Sequence, residues 1–120
     1  MYYKINNNVM YRLYDSYGYI TDNTMFGCRY MDYKTIYPGE EYVSESGAIM
    51  LNALSKVPKH IDDIVKYLLT IFVDVDYAEL KNDTIDFFNY FVEKGFLSCG
   101  HSFDECQRCI AYDEEQLIDN

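Results

Sequence analysis

Cysteine and histidine crowd into one short stretch, Cys99-Gly-His101-(x4)-Cys106-Gln-Arg-Cys109. One imidazole and three thiolates are ligands that a tetrahedral zinc site takes, and Cys106-x-x-Cys109 has a familiar ligand spacing. Against that chemistry, one residue separates Cys99 from His101, an uncommon arrangement for ligands of a shared ion. The spacing therefore favours reduced thiols, and no metal or cofactor is assigned, with an ion on these four residues left open. His60 stands at a helix entrance and reads as a cap or surface residue rather than a base. No Ser, His and acid combination follows a recognisable order, and no glycine-rich phosphate loop is present. Asp62-Asp63 reads as a favourable first-turn charge pair, Asp83 and Asp86 as a solvated face, and Cys28 as a small apolar residue. No residue is assigned a catalytic role, so the chain reads as a binding domain and not an enzyme.

The elements that must position these residues centre on Tyr77 to Leu97, YAELKNDTIDFFNYFVEKGFL, which predicts one helix ending at Gly95. On a helical wheel Leu80, Thr84, Phe87 and Phe91 fall on one line, with Ile85, Phe88 and Val92 beside it. That apolar arc covers roughly 160°, where docking on one core needs only about 100°. The excess fits either a helix wedged between two neighbours or a helix that serves a core and a groove.

Upstream, Val9–Tyr14 alternates like a strand, Asp15–Gly18 has turn chemistry, and Tyr19–Thr21 reads as the returning strand of a hairpin. Phe26–Tyr30 reads as a short strand or an ordered loop. Pro38-Gly39 marks a turn, and Glu40–Ser44 reads as a short, charged edge strand. Ser46 is the expected N-cap of a helix through Ser55, with Ile49, Met50, Leu51 and Leu54 inward. A second helix begins near His60 or Ile61 and runs to about Ile71. Strands followed by three helices predict an α+β domain of winged helix-turn-helix type, with a small N-terminal antiparallel sheet. It spans residues 1–97, and 98–120 reads as an acidic, cysteine-bearing tail or linker.

Composition narrows the partners. The net charge is −10 and no Lys/Arg cluster occurs, so the footprint of a nucleic-acid binder is missing. No apolar run is long enough to span a membrane. The start MYYKINNNVMYR lacks the pattern of a secretory signal. Four cysteines without such a signal imply a cytoplasmic, reducing setting.

From Ser46 to Leu97 the chain resembles the PqqD-like domains, or RiPP recognition elements, which serve the making of ribosomally synthesised and post-translationally modified peptides (RiPPs). The residues that carry the likeness are SGAIMLNALSKVP, HIDDIVKYLLTIF, the Asp-Val-Asp connector and the long helix. Within the helix, Glu79-Leu80, Asp83, Phe87-Phe88, Phe91 and Gly95 match that family's third helix. The YRLYDSYGYITDN hairpin further looks like the start of radical SAM peptide maturases, where this domain often precedes a catalytic barrel. A long insertion, Asp22–Gly39, departs from the pattern. So does Cys99-x6-Cys106-x2-Cys109, which is not the Cys-x3-Cys-x2-Cys spacing of a radical SAM iron–sulfur cluster. The resemblance implies that a precursor's leader peptide adds as a strand to Glu41, Tyr42, Val43 and Ser44, over Lys81, Ile85, Phe88 and Val92. The implied partners are that leader and a radical SAM maturase. The competing readings are a winged-helix DNA-binding regulator, disfavoured by the acidic third helix, and a domain that dimerises through the same strand edge.

Overall fold

The computed structural model describes residues 1–7, 9–22 and 40–108. Phe26–Tyr30, Cys28, Pro38-Gly39 and Cys109 lie outside these residues, as does the tail beyond. Six strands and four helices occur among the described residues: β1 (Tyr2–Ile5), β2 (Val9–Leu13), β3 (Tyr17–Asp22), β4 (Glu40–Ser44), α1 (Glu45–Asn52), β5 (Lys59–His60), α2 (Ile61–Leu68), α3 (Tyr77–Glu93), β6 (Leu97–Gly100) and α4 (Phe103–Arg108). They form two three-stranded antiparallel sheets, ordered β5-β1-β6 and β2-β3-β4. The expectation of one small sheet and three helices is thus corrected to two sheets and four helices in a mixed α+β fold.

The hairpin forms as the alternation requires, with Tyr11 opposite Ile20 and Leu13 opposite Gly18. β4 then lies on the far side of β3, with Tyr42 opposite Tyr19. It runs straight into α1. The N-cap is Ser44 rather than Ser46, because the Ser44 hydroxyl accepts from the Gly47 amide at 3.2 Å and so satisfies a first-turn donor. His60 is a cap, as its sequence position suggests: Nδ1 accepts from the Asp62 amide at 3.1 Å. Asp76 caps α3 through bonds from Ala78 and Glu79.

α3 stops where its glycine dictates. Gly95 has φ 89°, and the amides of Gly95 and Phe96 bond back to the carbonyls of Val92 and Phe91. Those are the two bonds of a Schellman end, with Phe96 against Phe91 (ring centroids 5.9 Å apart) as its apolar contact.

Four elements, β1, β5, β6 and α4, are unforeseen. β1 is the middle strand of its sheet, and Tyr3, Lys4 and Ile5 are all buried. Its partner β6 begins at Leu97, so the stretch from Ser98 expected as a tail opens inside the sheet. α4 folds back over β6, with Cys106 wholly buried and its thiol 3.6 Å from the Ser98 carbonyl. Gly100 permits that approach, since a Cβ there would stand 2.5 Å from the Cys106 amide nitrogen.

The core lies between α3 and the other elements and is built from Tyr3, Ile20, Leu51, Ile64, Phe88 and Phe91. No helix among the described residues is long and apolar enough to cross a membrane.

Candidate functional site

β4 is an edge strand, and among the described residues its outer side pairs with nothing. An open edge of this kind exposes unpaired N–H and C=O groups in a row. Along it the side chains alternate. Val43 points inward and is 8% exposed. Tyr42 points the other way and is 68% exposed. Its ring joins a run of tyrosines on the outer face, 5.8 Å from Tyr17 and 5.1 Å from Tyr19. Tyr42 therefore offers the edge its backbone and not its side chain. Ser44 is occupied as the helix cap.

What lies beside this edge is set by the helical period of α3. At about 100° per residue, the buried line of Leu80, Thr84, Phe88 and Phe91 divides two flanks. Phe87, Tyr90 and Lys94 occupy one, and Lys81, Ile85 and Val92 the other. The first flank faces β4 and the start of α1. There the Tyr90 hydroxyl donates to Glu41 Oε1 and Oε2 at 3.0 and 3.1 Å, and Lys94 Nζ sits 5.2 Å from the Tyr90 ring centroid. Three residues earlier, half-buried Phe87 lies so close to α1 that a Cβ on Gly47 would be 2.8 Å from its ring. The space between β4 and α3, called the cleft below, thus has Phe87 against α1 towards one end and the Tyr90–Glu41 contact across the other.

The buried line and the second flank serve the fold. Phe88 is wholly buried, its ring 5.1 Å from that of Tyr3, and the Tyr3 hydroxyl donates to Asn89 at 3.1 Å. Lys81 pairs with Asp62 at 2.9 Å, and the Tyr77 hydroxyl donates to the same carboxylate oxygen at 2.7 Å. Those two bonds, first from Lys81 and then from Tyr77, hold the Asp62 carboxyl down at about 2. Ile85 and Val92 are half-buried against the core.

The eight residues expected to hold a peptide are therefore not one site. Glu41, Val43 and the backbone of Tyr42 and Ser44 line the cleft. Phe88 is core, and Lys81, Ile85 and Val92 lie on the flank turned away from β4. Sequence reasoning passed over Phe87 and Tyr90 as cleft residues, although Phe87, Tyr90 and Lys94 recur at i, i+3 and i+7 on one face.

The cysteine stretch is unevenly buried: Cys106 is buried, Cys99 is half-buried and His101 is exposed. No group of three His, Cys, Asp or Glu side chains able to hold a metal ion occurs among the described residues.

In comparisons with known proteins, a family model described as coenzyme PQQ synthesis protein D (PqqD) matches residues 36–97. No curated relative and no solved structure matches the chain. The matched stretch covers more than half of the 120 residues and contains both walls of the cleft, β4 and α3. The chain belongs to the PqqD family, the family that forms the RiPP recognition element.

Proposed function

We propose that this domain binds the leader region of a ribosomally made precursor peptide and presents it to a modifying enzyme, a radical SAM maturase. The leader adds as a strand to the outer edge of β4 and sets alternate side chains against α3. One observation carries the reading: an edge strand open among the described residues, with the partly exposed aromatics Phe87 and Tyr90 standing beside it. Main-chain hydrogen bonds to such an edge supply affinity, and pockets for alternate side chains supply selectivity. In this reading β2-β3-β4 is the wing, and α1 to α3 are the three helices of a winged helix turned to peptide rather than DNA.

Ordering a disordered leader costs about 2–5 kcal/mol, which leaves a net Kd in the micromolar to tens of nanomolar range, roughly −8 to −10 kcal/mol. The test is an anisotropy titration of labelled precursor peptides encoded near the chain's gene. Leaders N-methylated at single backbone positions are titrated in parallel. Strand addition predicts loss of binding at every second position, because only alternate amides face β4. Binding that is indifferent to N-methylation throughout the leader would exclude it.

A further inference from the structure

We propose that the cleft between β4 and α3 selects leaders that carry lysine or arginine two residues from an apolar residue, with the Glu41 carboxylate reading the cation; this rests on the strand-addition reading above. Glu41 and Val43 share the inward face of β4 and meet different surroundings. Val43 is buried and belongs to the apolar core, against which Phe87 also packs. Glu41 is half-buried at the lip, where the Tyr90 hydroxyl donates to both of its oxygens. One hydroxyl proton leaves most of the roughly four lone-pair sites of a carboxylate unused. Among the described residues no lysine or arginine pairs with it; Lys94, the nearby cation, lies over the Tyr90 ring. A chain of net charge −10 adds a field that draws cations in.

Geometry then fixes the spacing. A strand running antiparallel to β4 places the residue opposite Val43 first, and the residue opposite Glu41 two positions later. Both lie on the inward face, with facing Cβ atoms about 4.5–5.5 Å apart, so a lysine or arginine there reaches Glu41 Oε1 or Oε2. The pattern read is apolar-x-Lys/Arg. Glutamate in the third place would set two carboxylates directly opposite each other, which is destabilising.

The experiment uses fluorescein-labelled peptides of about ten residues, built on alternating valine and threonine. They are identical except for Lys, Gln or Glu in the third place of that pattern. Each is titrated into the wild-type chain, Glu41→Gln and Glu41→Lys, with circular dichroism melts alongside to show that every protein is folded. Wild type should prefer Lys over Glu by about fivefold, the size of a cross-strand charge pair. Glu41→Gln should flatten the preference and Glu41→Lys should invert it. Equal binding of all three peptides by wild type, or a preference that survives Glu41→Lys, overturns the charge selection and leaves strand addition standing. No binding by any member overturns strand addition, and the charge selection with it.

Discussion

At the scale of single residues, Phe88 and Tyr3 show how tightly one flank of α3 is committed to the fold. Phe88 is wholly buried against Tyr3, so Phe88→Ala leaves a cavity and should cost about 3–5 kcal/mol of stability. Phe87→Ala and Tyr90→Ala lie on the cleft side and should cost leader affinity more than stability. Urea unfolding beside peptide titration separates the two effects; a Phe88→Ala protein as stable as wild type would remove this ring from the core.

Burial, and then the nearby Cys99 thiol, push the Tyr3 hydroxyl up to about 12. The unfolded chain releases that proton near its ordinary value of about 10. Above that pH the unfolded state holds fewer protons than the folded one, so stability falls as pH rises. Tyr3 leaves folding untouched below about pH 10 and weighs against it increasingly as pH climbs towards 12. Urea midpoints measured from about pH 8 to 11 should drop more steeply for wild type than for Tyr3→Phe. Parallel slopes would place the alkaline sensitivity elsewhere.

At the scale of elements, α4 closes the sheet β5-β1-β6. It buries Cys106 and supplies the Gln107 carbonyl that accepts from the ammonium of buried Lys4 at 3.3 Å. Truncation at Gly100 would leave that cation without this acceptor and uncover apolar surface, and a buried charge stripped of a partner is costly. The melting temperature should fall by several degrees or more, at about 4–8 °C per kcal/mol for a domain near this size. An unchanged melting curve would show α4 to be dispensable.

Elements with local signals were legible in the sequence. The hairpin, the His60 cap and the Gly95 stop all follow from residues within a few positions of one another. β1 was not legible, because Tyr3, Lys4 and Ile5 are all buried, and a strand covered on both faces loses the alternation that marks a half-exposed one. β6 was hidden for a related reason. Its Ser98 is buried through a bond to the Asn6 side chain, a partner ninety-odd positions away that no local pattern reveals. The wide apolar arc of α3 packs Phe88 against Tyr3 of β1 and sets Ile85 and Val92 half-buried against the core, as expected of a helix wedged between neighbours.

At the scale of the whole molecule, charge decides which partners the fold accepts. α3 and its C-cap carry Glu79, Asp83, Asp86 and Glu93 against Lys81 and Lys94, and Lys81 is already engaged by Asp62. Non-specific DNA affinity comes almost entirely from cations meeting phosphates, so mixed-sequence duplex at micromolar protein and physiological salt should give no anisotropy change. Salt-sensitive binding in that range would restore the DNA reading.

The central place of β1 also sets the order in which the molecule can be made. Tyr2 to Ile5 pair with Lys59-His60 on one side and Leu97–Gly100 on the other, so β1 is translated well before either of its partners. At about 5–20 residues per second, translation of the intervening chain takes on the order of 5–20 s. During that time the cleft-forming segments from β2 to α3 emerge in sequence, and only with β6 can the second sheet close. Pairing across such a separation carries a large loop-closure entropy, which slows folding. The face between β4 and α3 and the sheet that braces α3 from behind therefore mature on different clocks.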